Sequence, residues 1–259
     1  MILKLMFSRR WWWATLLILI IAAVCIRLGF WQLSRLSEES SFANRIRTIQ
    51  AMPPIDLSQP TTVDLTTMEY RAATVTGTYD FQNQVAIRNQ YNDVQPGYHL
   101  LTPLRLADTS TSLGAGGKAV LVDRGWIPSV GNSAPADWRK YDQPGQVTIG
   151  GIIRLGQTES TPGSDADPTL TPNQTRLDFW IYVNMDRLSK QIPYPLLPVY
   201  VQIAPNPSIT DPPIPILETL DLSGGSTNLN YAIQWFSFSM LFIAGYAYYL
   251  WRKELRKKT

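Results

Sequence analysis

The stretch Trp11-Trp12-Trp13-Ala14-Thr15-Leu16-Leu17-Ile18-Leu19-Ile20-Ile21-Ala22-Ala23-Val24-Cys25-Ile26, followed by Arg27 and then Leu28-Gly29-Phe30-Trp31-Gln32-Leu33-Ser34-Arg35, decides how the rest of the chain is read. The run up to Ile26 carries no charge, and as a helix rising about 1.5 Å per residue it is about 24 Å long, a little short of a hydrocarbon core of roughly 30 Å. Arg27 can snorkel outward and let Leu28, Gly29 and Phe30 complete a span. A basic segment before an apolar run also fits a cleaved signal peptide. Small residues suited to cleavage are poorly placed, however, and a second apolar segment follows, so an uncleaved anchor is expected. Cys25, the sole cysteine, excludes an intrachain disulfide and is read as a small apolar side chain inside the run rather than a lipidation site.

The second segment, Tyr231 to Trp251, is uncharged and ends in Arg252-Lys253-Glu254-Leu255-Arg256-Lys257-Lys258. Lys4, Arg9 and Arg10 precede the first span and this basic tail follows the second. Both termini are therefore expected in the cytoplasm of a multi-pass inner-membrane protein, with the central section outside. Nine of the 23 basic residues and one of the 20 acids lie in the terminal segments, which leaves 14 basic against 19 acidic residues between them. A section of that sign does not collect phosphate backbones, so nucleic acid is excluded as a partner and lipid is the expected one.

The predicted organisation is a cytoplasmic N-terminus (1–10), a first transmembrane helix (11–30), a connecting segment (31–69), a β-rich extracytoplasmic domain (70–204), a Pro-rich connector (205–230), a second transmembrane helix (231–251) and a basic cytoplasmic tail (252–259). Ser37 to Gln50 is expected to continue the first helix outward as an amphipathic extension, before Pro53-Pro54 stops it. From Tyr70 the chain changes to short runs rich in Val, Ile, Thr and aromatics, separated by Gly, Asn, Asp and Pro. These predict strands at Tyr70–Tyr79, Gln84–Asn89, Tyr98–Leu106, Ala119–Trp126, Gln146–Leu155, Phe179–Asn184 and Val199–Ile203. Short helices are expected at Ala136–Tyr141 and Met185–Gln191, and a flexible excursion over Gly156–Thr175. The fold class is mainly β (α+β): an antiparallel sheet or barrel anchored by one N-terminal and one C-terminal transmembrane helix.

Catalytic signals are sparse. His99 is the only histidine, no Gly-x-Ser-x-Gly elbow accompanies it, and Met or Cys clusters for copper are missing from the sequence. One imidazole cannot build a metal site alone, although it can bind a porphyrin iron axially; otherwise it is a hydrogen-bonded sheet residue. Tyr231, Gln234, Trp235 and Phe238 share a helical face that either anchors the chain at the interface or holds a flat apolar ligand. Paired carboxylates meeting in space leave no signature, so an envelope hydrolase or transferase stays open, as does a purely structural scaffold for a membrane complex.

Several segments together resemble the surfeit locus protein 1 family of cytochrome c oxidase assembly factors: Leu28 to Arg35, Tyr70-Arg71 with Gly77-Thr78-Tyr79-Asp80, Gly97-Tyr98-His99-Leu100-Leu101-Thr102-Pro103-Leu104, Val120-Leu121-Val122-Asp123-Arg124-Gly125-Trp126-Ile127-Pro128, and Asn228-Leu229-Asn230-Tyr231-Ala232-Ile233-Gln234-Trp235-Phe236. The resemblance implies a non-enzymatic biogenesis factor or chaperone that assists insertion of haem a into subunit I of a haem-copper oxidase, with cytochrome c oxidase subunit I and the haem a synthesis machinery as partners. It departs from the family at Asn228, where bacterial members commonly carry a His. The implied cofactor is haem A, with His99 as the metal-ligating residue. Arg35, Arg71 and Arg124 are candidates for its propionates, and Trp31, Tyr231, Gln234 and Trp235 for its ring. Alternatively Arg124 pairs with Asp123 or Asp80, and Gly77, Gly125 and Pro103 shape turns or bulges.

Overall fold

The computed structural model describes residues 6–106, 118–157, 167–171, 174–217, 220 and 222–255. The chain divides into two units: Met1–Arg47 with Leu220–Thr259, and Thr48–Thr219.

The first unit is built on α1 (Trp12–Gln50) and the last helix of the chain (Ser226–Leu255). The helix continues past the apolar run as expected, unbroken to Gln50, and Pro53-Pro54 follow. The two helices lie antiparallel, and matched contacts run along their length. Tyr246 and Thr15 join hydroxyls at 2.8 Å, Ser239 donates to the Ala22 carbonyl, the Phe236 ring covers Gly29, and Asn228 donates to Glu39. Thr15, Ala22, Cys25 and Gly29 are the buried residues in the apolar part of α1. Their spacing puts small side chains on one face, which lets a partner helix approach closely. A Cβ on Gly29 would stand 2.6 Å from the Phe236 ring. Among the described residues α1 is the one helix long and apolar enough to cross a membrane. The final helix has the length, but Gln234, Ser237, Ser239 and four tyrosines dilute its apolar run.

The second unit is a barrel with attachments. Its strands are β1 (Ile55–Asp56), β2 (Ala72–Tyr79), β3 (Val85–Asn92), β4 (Gln95–Leu106), β5 (Ala119–Pro128), β6 (Gln146–Arg154), β7 (Phe179–Trp180) and β8 (Leu196–Ile203). A short helix, α2 (Met185–Gln191), precedes β8; the terminal helix is α3. The sheet order is β1-β2-β6-β8-β5-β4-β3-β7, and a further β2–β4 pairing closes β2, β6, β8, β5 and β4 into a five-stranded ring.

The expectation of an antiparallel sheet needs correction. β2–β6, β2–β4, β3–β4, β4–β5 and β6–β8 are antiparallel, but β5–β8, β1–β2 and β3–β7 are parallel. Turn signals between successive strands report hairpins, whereas β8 reaches β5 only after residues 129–195 have crossed over. Four smaller differences are local, and two of them have a visible cause. β7 stops at Trp180 because the Asp167 carboxylate takes the Ile181 and Tyr182 amides. Tyr70 precedes the strand expected to begin with it, its φ of 72° being incompatible with extended pairing. The helix expected at Ala136–Tyr141 is a 3₁₀ turn over Pro135–Tyr141, and β1 follows the Pro pair within a segment read as loop. Of the flexible excursion Gly156–Thr175, residues 158–166 and 172–173 lie outside the described residues.

Alternation along the strands separates the core from a working face. Val75 of β2, Leu104 of β4, Val120 and Val122 of β5, Ile153 of β6, and Val199 and Val201 of β8 pack together inside. Ile87, Leu101, Leu121 and Tyr200 point the other way and pack with Trp180, Leu188 and Ile192 around α2. β5 is therefore buried from Ala119 to Ile127.

Gly77 sits where β2 pairs with Val147 of β6 and Leu106 of β4. A Cβ there would lie 2.2 Å from the Arg105 carbonyl oxygen. Gly77→Ala is expected to destabilise the barrel by about 3 kcal/mol, read as a lower urea midpoint of the detergent-solubilised chain; an unchanged midpoint would contradict closure at this corner.

Candidate functional site

Strand register builds the site. Leu101 of β4 faces Asp123 of β5, Asp123 faces Gln202 of β8, and Tyr200 of β8 faces Arg154 of β6. With His99 two residues from Leu101, a polar row runs across four neighbouring strands on the barrel's outer face. It forms one wall of a cavity of about 800 Å³ whose lining also includes Glu69, Tyr70, Asn89 and Tyr182.

The row is hydrogen-bonded end to end. His99 Nδ1 lies 2.9 Å from Asp123 Oδ2, and Gln202 Nε2 donates to that same oxygen at 3.2 Å. The Gly125 amide donates to Asp123 Oδ1 at 3.0 Å, a bend reached with Gly125 at φ 118°. Arg154 Nη1 donates to Gln202 Oε1 at 3.2 Å, and its guanidinium lies over the Tyr70 ring. Burial works against charge on His99, but the Asp123 carboxylate, through its charge and its hydrogen bond, more than offsets this and raises the imidazole above its ordinary range. Among the described residues nothing partners His99 Nε2, on a residue that lines the cavity.

The site residues named from sequence divide among different surroundings. His99 is in the cavity wall. Arg71 donates twice to the Pro53 carbonyl, at 3.1 and 3.0 Å, and rests on Met68 Sδ. Arg124 is 3% exposed. It donates to Gln84 Oε1 at 3.1 Å and to the Tyr141 carbonyl, and its guanidinium lies over the rings of Tyr79 and Phe81. The alternative pairing of Arg124 with Asp123 fails because neighbours on a strand face opposite sides, so Asp123 meets His99 instead. Asp80 is also engaged elsewhere, accepting from Tyr194 and Asn83.

The remaining candidates belong to the helix unit. Trp31 is exposed, and Arg35 pairs with Glu38 and Glu39 on its own helix at 2.9 and 3.3 Å. Tyr231 and Gln234 are exposed, while half-buried Trp235 meets Phe238 edge-on. The ring contacts between the two helical segments are Phe30 on Phe236 and Trp11 on Tyr249. Asn228 is tied to Glu39 at 2.8 Å.

Sequence reading missed Gln202, Tyr200, Arg154 and Glu69. One signal was available: Asp123 and Arg124 sit together in an apolar strand, and buried charges require partners on both faces. Among the described residues there is no group of three or more His, Cys, Asp or Glu suited to a metal ion. The Asp123 carboxylate holds Nδ1 and orients the ring, which leaves Nε2 as the nitrogen for a further partner.

Fold and site define a class: a small closed barrel carried in the chain between two long helices, with a polar cavity that holds the chain's only imidazole. The model described as the SURF1 family matches residues 19–240, and the chain belongs to that family. A SURF1-like protein of Monosiga brevicollis is 27% identical, aligned over 85% of this chain and 81% of its own. Another from Rickettsia felis is 24% identical over 87% and 92%. The cytochrome oxidase assembly protein SHY1 of Saccharomyces cerevisiae is 31% identical over 39% of this chain and 24% of its own.

The raised imidazole has a consequence for stability. Its contribution is fully present below the unfolded-state value of about 6.5 and is lost as pH rises through the higher folded value. The stability gap between wild type and His99→Gln should therefore be larger near about pH 6 than near about pH 9, read as urea midpoints. A gap independent of pH would contradict the His99–Asp123 pair.

Proposed function

We propose that this chain is a membrane-anchored assembly factor for a haem-copper terminal oxidase, which assists insertion of haem a into subunit I and receives it from the haem a synthesis machinery. The observation that carries this reading is the family match over most of the chain, joined to the likeness to a yeast protein named for cytochrome oxidase assembly. The cavity around His99 supports it further, since Nε2 is free among the described residues to hold an iron. Haem, if bound, would supply an iron that a nitrogen donor can ligate, and His99 would be the residue to hold it. The chain's part is to orient His99 through Asp123 and to cover one face of the ligand with the barrel wall.

Both helices span the membrane in this reading. α3 lies antiparallel to α1 over the stretch from Thr15 to Gly29, so a bilayer crossed by α1 is crossed by α3 as well. Leu16, Ile20, Met240, Leu241 and Phe242 are exposed along the pair, and lipid covers such surface at no cost to backbone hydrogen bonding. The small-residue seam and the hydroxyl contacts suit packing in lipid. Arg10 and Lys253 gather on the Trp11 ring at one end, which supports a cytoplasmic, basic side for that end of the helix pair; the central section is extracytoplasmic in this reading.

A hydrolase or transferase asks for two acids facing one another across the cavity. Asp123 and Glu69 line it, but Asp123 is held by three donors and Glu69 lies 3.5 Å from Arg154. The arrangement favours binding over acid–base chemistry.

Deleting the gene should lower the a-type haem absorption of the membranes severalfold, with recovery on re-expression of the full chain. Normal oxidase content in the deletion strain would contradict the assembly role.

A further inference from the structure

Along the row from His99 to Arg154 the side-chain acceptors are in use and donors are left over. Both Asp123 oxygens accept, from Gly125, His99 and Gln202, and Gln202 Oε1 accepts from Arg154. The second Gln202 bond, to the Ile216 carbonyl, uses another acceptor. Two donors remain. Tyr200 is 9% exposed, and its hydroxyl has no hydrogen-bond partner among the described residues. Burial, with Asp123, Glu69 and Tyr70 adding to it and Arg154 opposing, pushes this hydroxyl up, so it stays protonated. Arg154 offers five N–H groups in a fork and spends one on Gln202; its Nε has no hydrogen bond among the described residues, with Glu69 at 3.5 Å. Tyr200 and Arg154 face each other across the β6–β8 pair, so both donors serve one end of the cavity. Ile87, Leu101 and Ile181 supply apolar lining.

We propose that Tyr200 and Arg154 form a carboxylate-binding end of this cavity, for a ligand whose apolar body lies along Ile87, Leu101 and Ile181. Two neighbouring donors, one of them a cation with a planar fork, match the two oxygens of a carboxylate. Glu69 is the opposing acceptor on this wall and weakens the site by repulsion. The carboxylate is the propionate of a tetrapyrrole, in which case the inference rests on the haem reading, or that of a free organic acid, in which case it does not. The arginines named from sequence for this task are engaged elsewhere, and Arg154 is the one placed on the cavity that holds His99.

The sole histidine makes a clean reporter, because the imidazole region of an ¹⁵N spectrum of the full chain in detergent contains one residue. At fixed pH, metal-free mesoporphyrin or succinate should shift the His99 signal saturably, while mesoporphyrin dimethyl ester and succinamide should leave it in place. Tyr200→Phe and Arg154→Gln should each weaken the response about tenfold. Glu69→Gln should tighten it, an effect of opposite sign that lost folding cannot imitate. Saturation by succinate identifies a free acid as the source, and saturation by the porphyrin alone identifies a propionate. The proposal is overturned if neither acid moves His99, if the ester acts as well as the acid, or if the variants leave the affinity unchanged. Such a failure, with iron-haem absorption of the purified chain retained, would leave the haem reading standing.

Discussion

The structure of the barrel unit depends on β5 being covered on both faces while carrying two charges. Val120 and Val122 fill the barrel and Leu121 fills the layer under α2, so Asp123 and Arg124 are left only 4% and 3% exposed. Each charge has to be met locally or the strand would not stay buried. Arg124 finds a side-chain amide, a carbonyl and two aromatic faces; Asp123 finds an imidazole, an amide and a backbone N–H. The same requirement that stabilises β5 fixes His99 in orientation, and Gln202 passes the constraint on to Arg154. A structural need and a poised site arise from one residue, Asp123.

The helix unit answers a different constraint. Much apolar surface stays on the outside of the pair, and close backbone approach with a few hydroxyl bonds makes the seam between the helices. Thr15, Ala22 and Gly29 on α1 meet Tyr246, Ser239 and Phe236 on α3 in that manner. Beyond the apolar part the contacts become polar: Glu39 with Asn228, Ser40 with the Gly224 carbonyl, and Arg47 with the Leu222 carbonyl. Asn228 is thus part of the clasp between the helices.

Much of this was legible in the sequence because it lies in periodicity. The strand runs, the outward extension of α1 and the short helix at Met185–Gln191 were read from alternation and turn residues. Closure of the barrel was not, since it depends on β2 pairing on both edges at Gly77 and on a parallel β5–β8 pair formed across a long crossover. Of the site residues named from sequence, His99 is the one that lies on the cavity wall. Arg71 and Arg124 were named because arginines in a motif suggest anion binding; the fold gives half-buried Arg71 to the Pro53 carbonyl and buried Arg124 to Gln84, the Tyr141 carbonyl and two aromatic rings. Arg154, at the end of β6, carried no motif, and only register places it opposite Tyr200.

The cavity on the outer face of the barrel, with His99 aimed by Asp123, is the centre of this account. Its most direct test is the absorption spectrum of the full chain purified from cells making haem a. Wild type should carry an a-type haem signal that His99→Ala loses while its circular dichroism is unchanged. Full haem retention by His99→Ala would contradict the account.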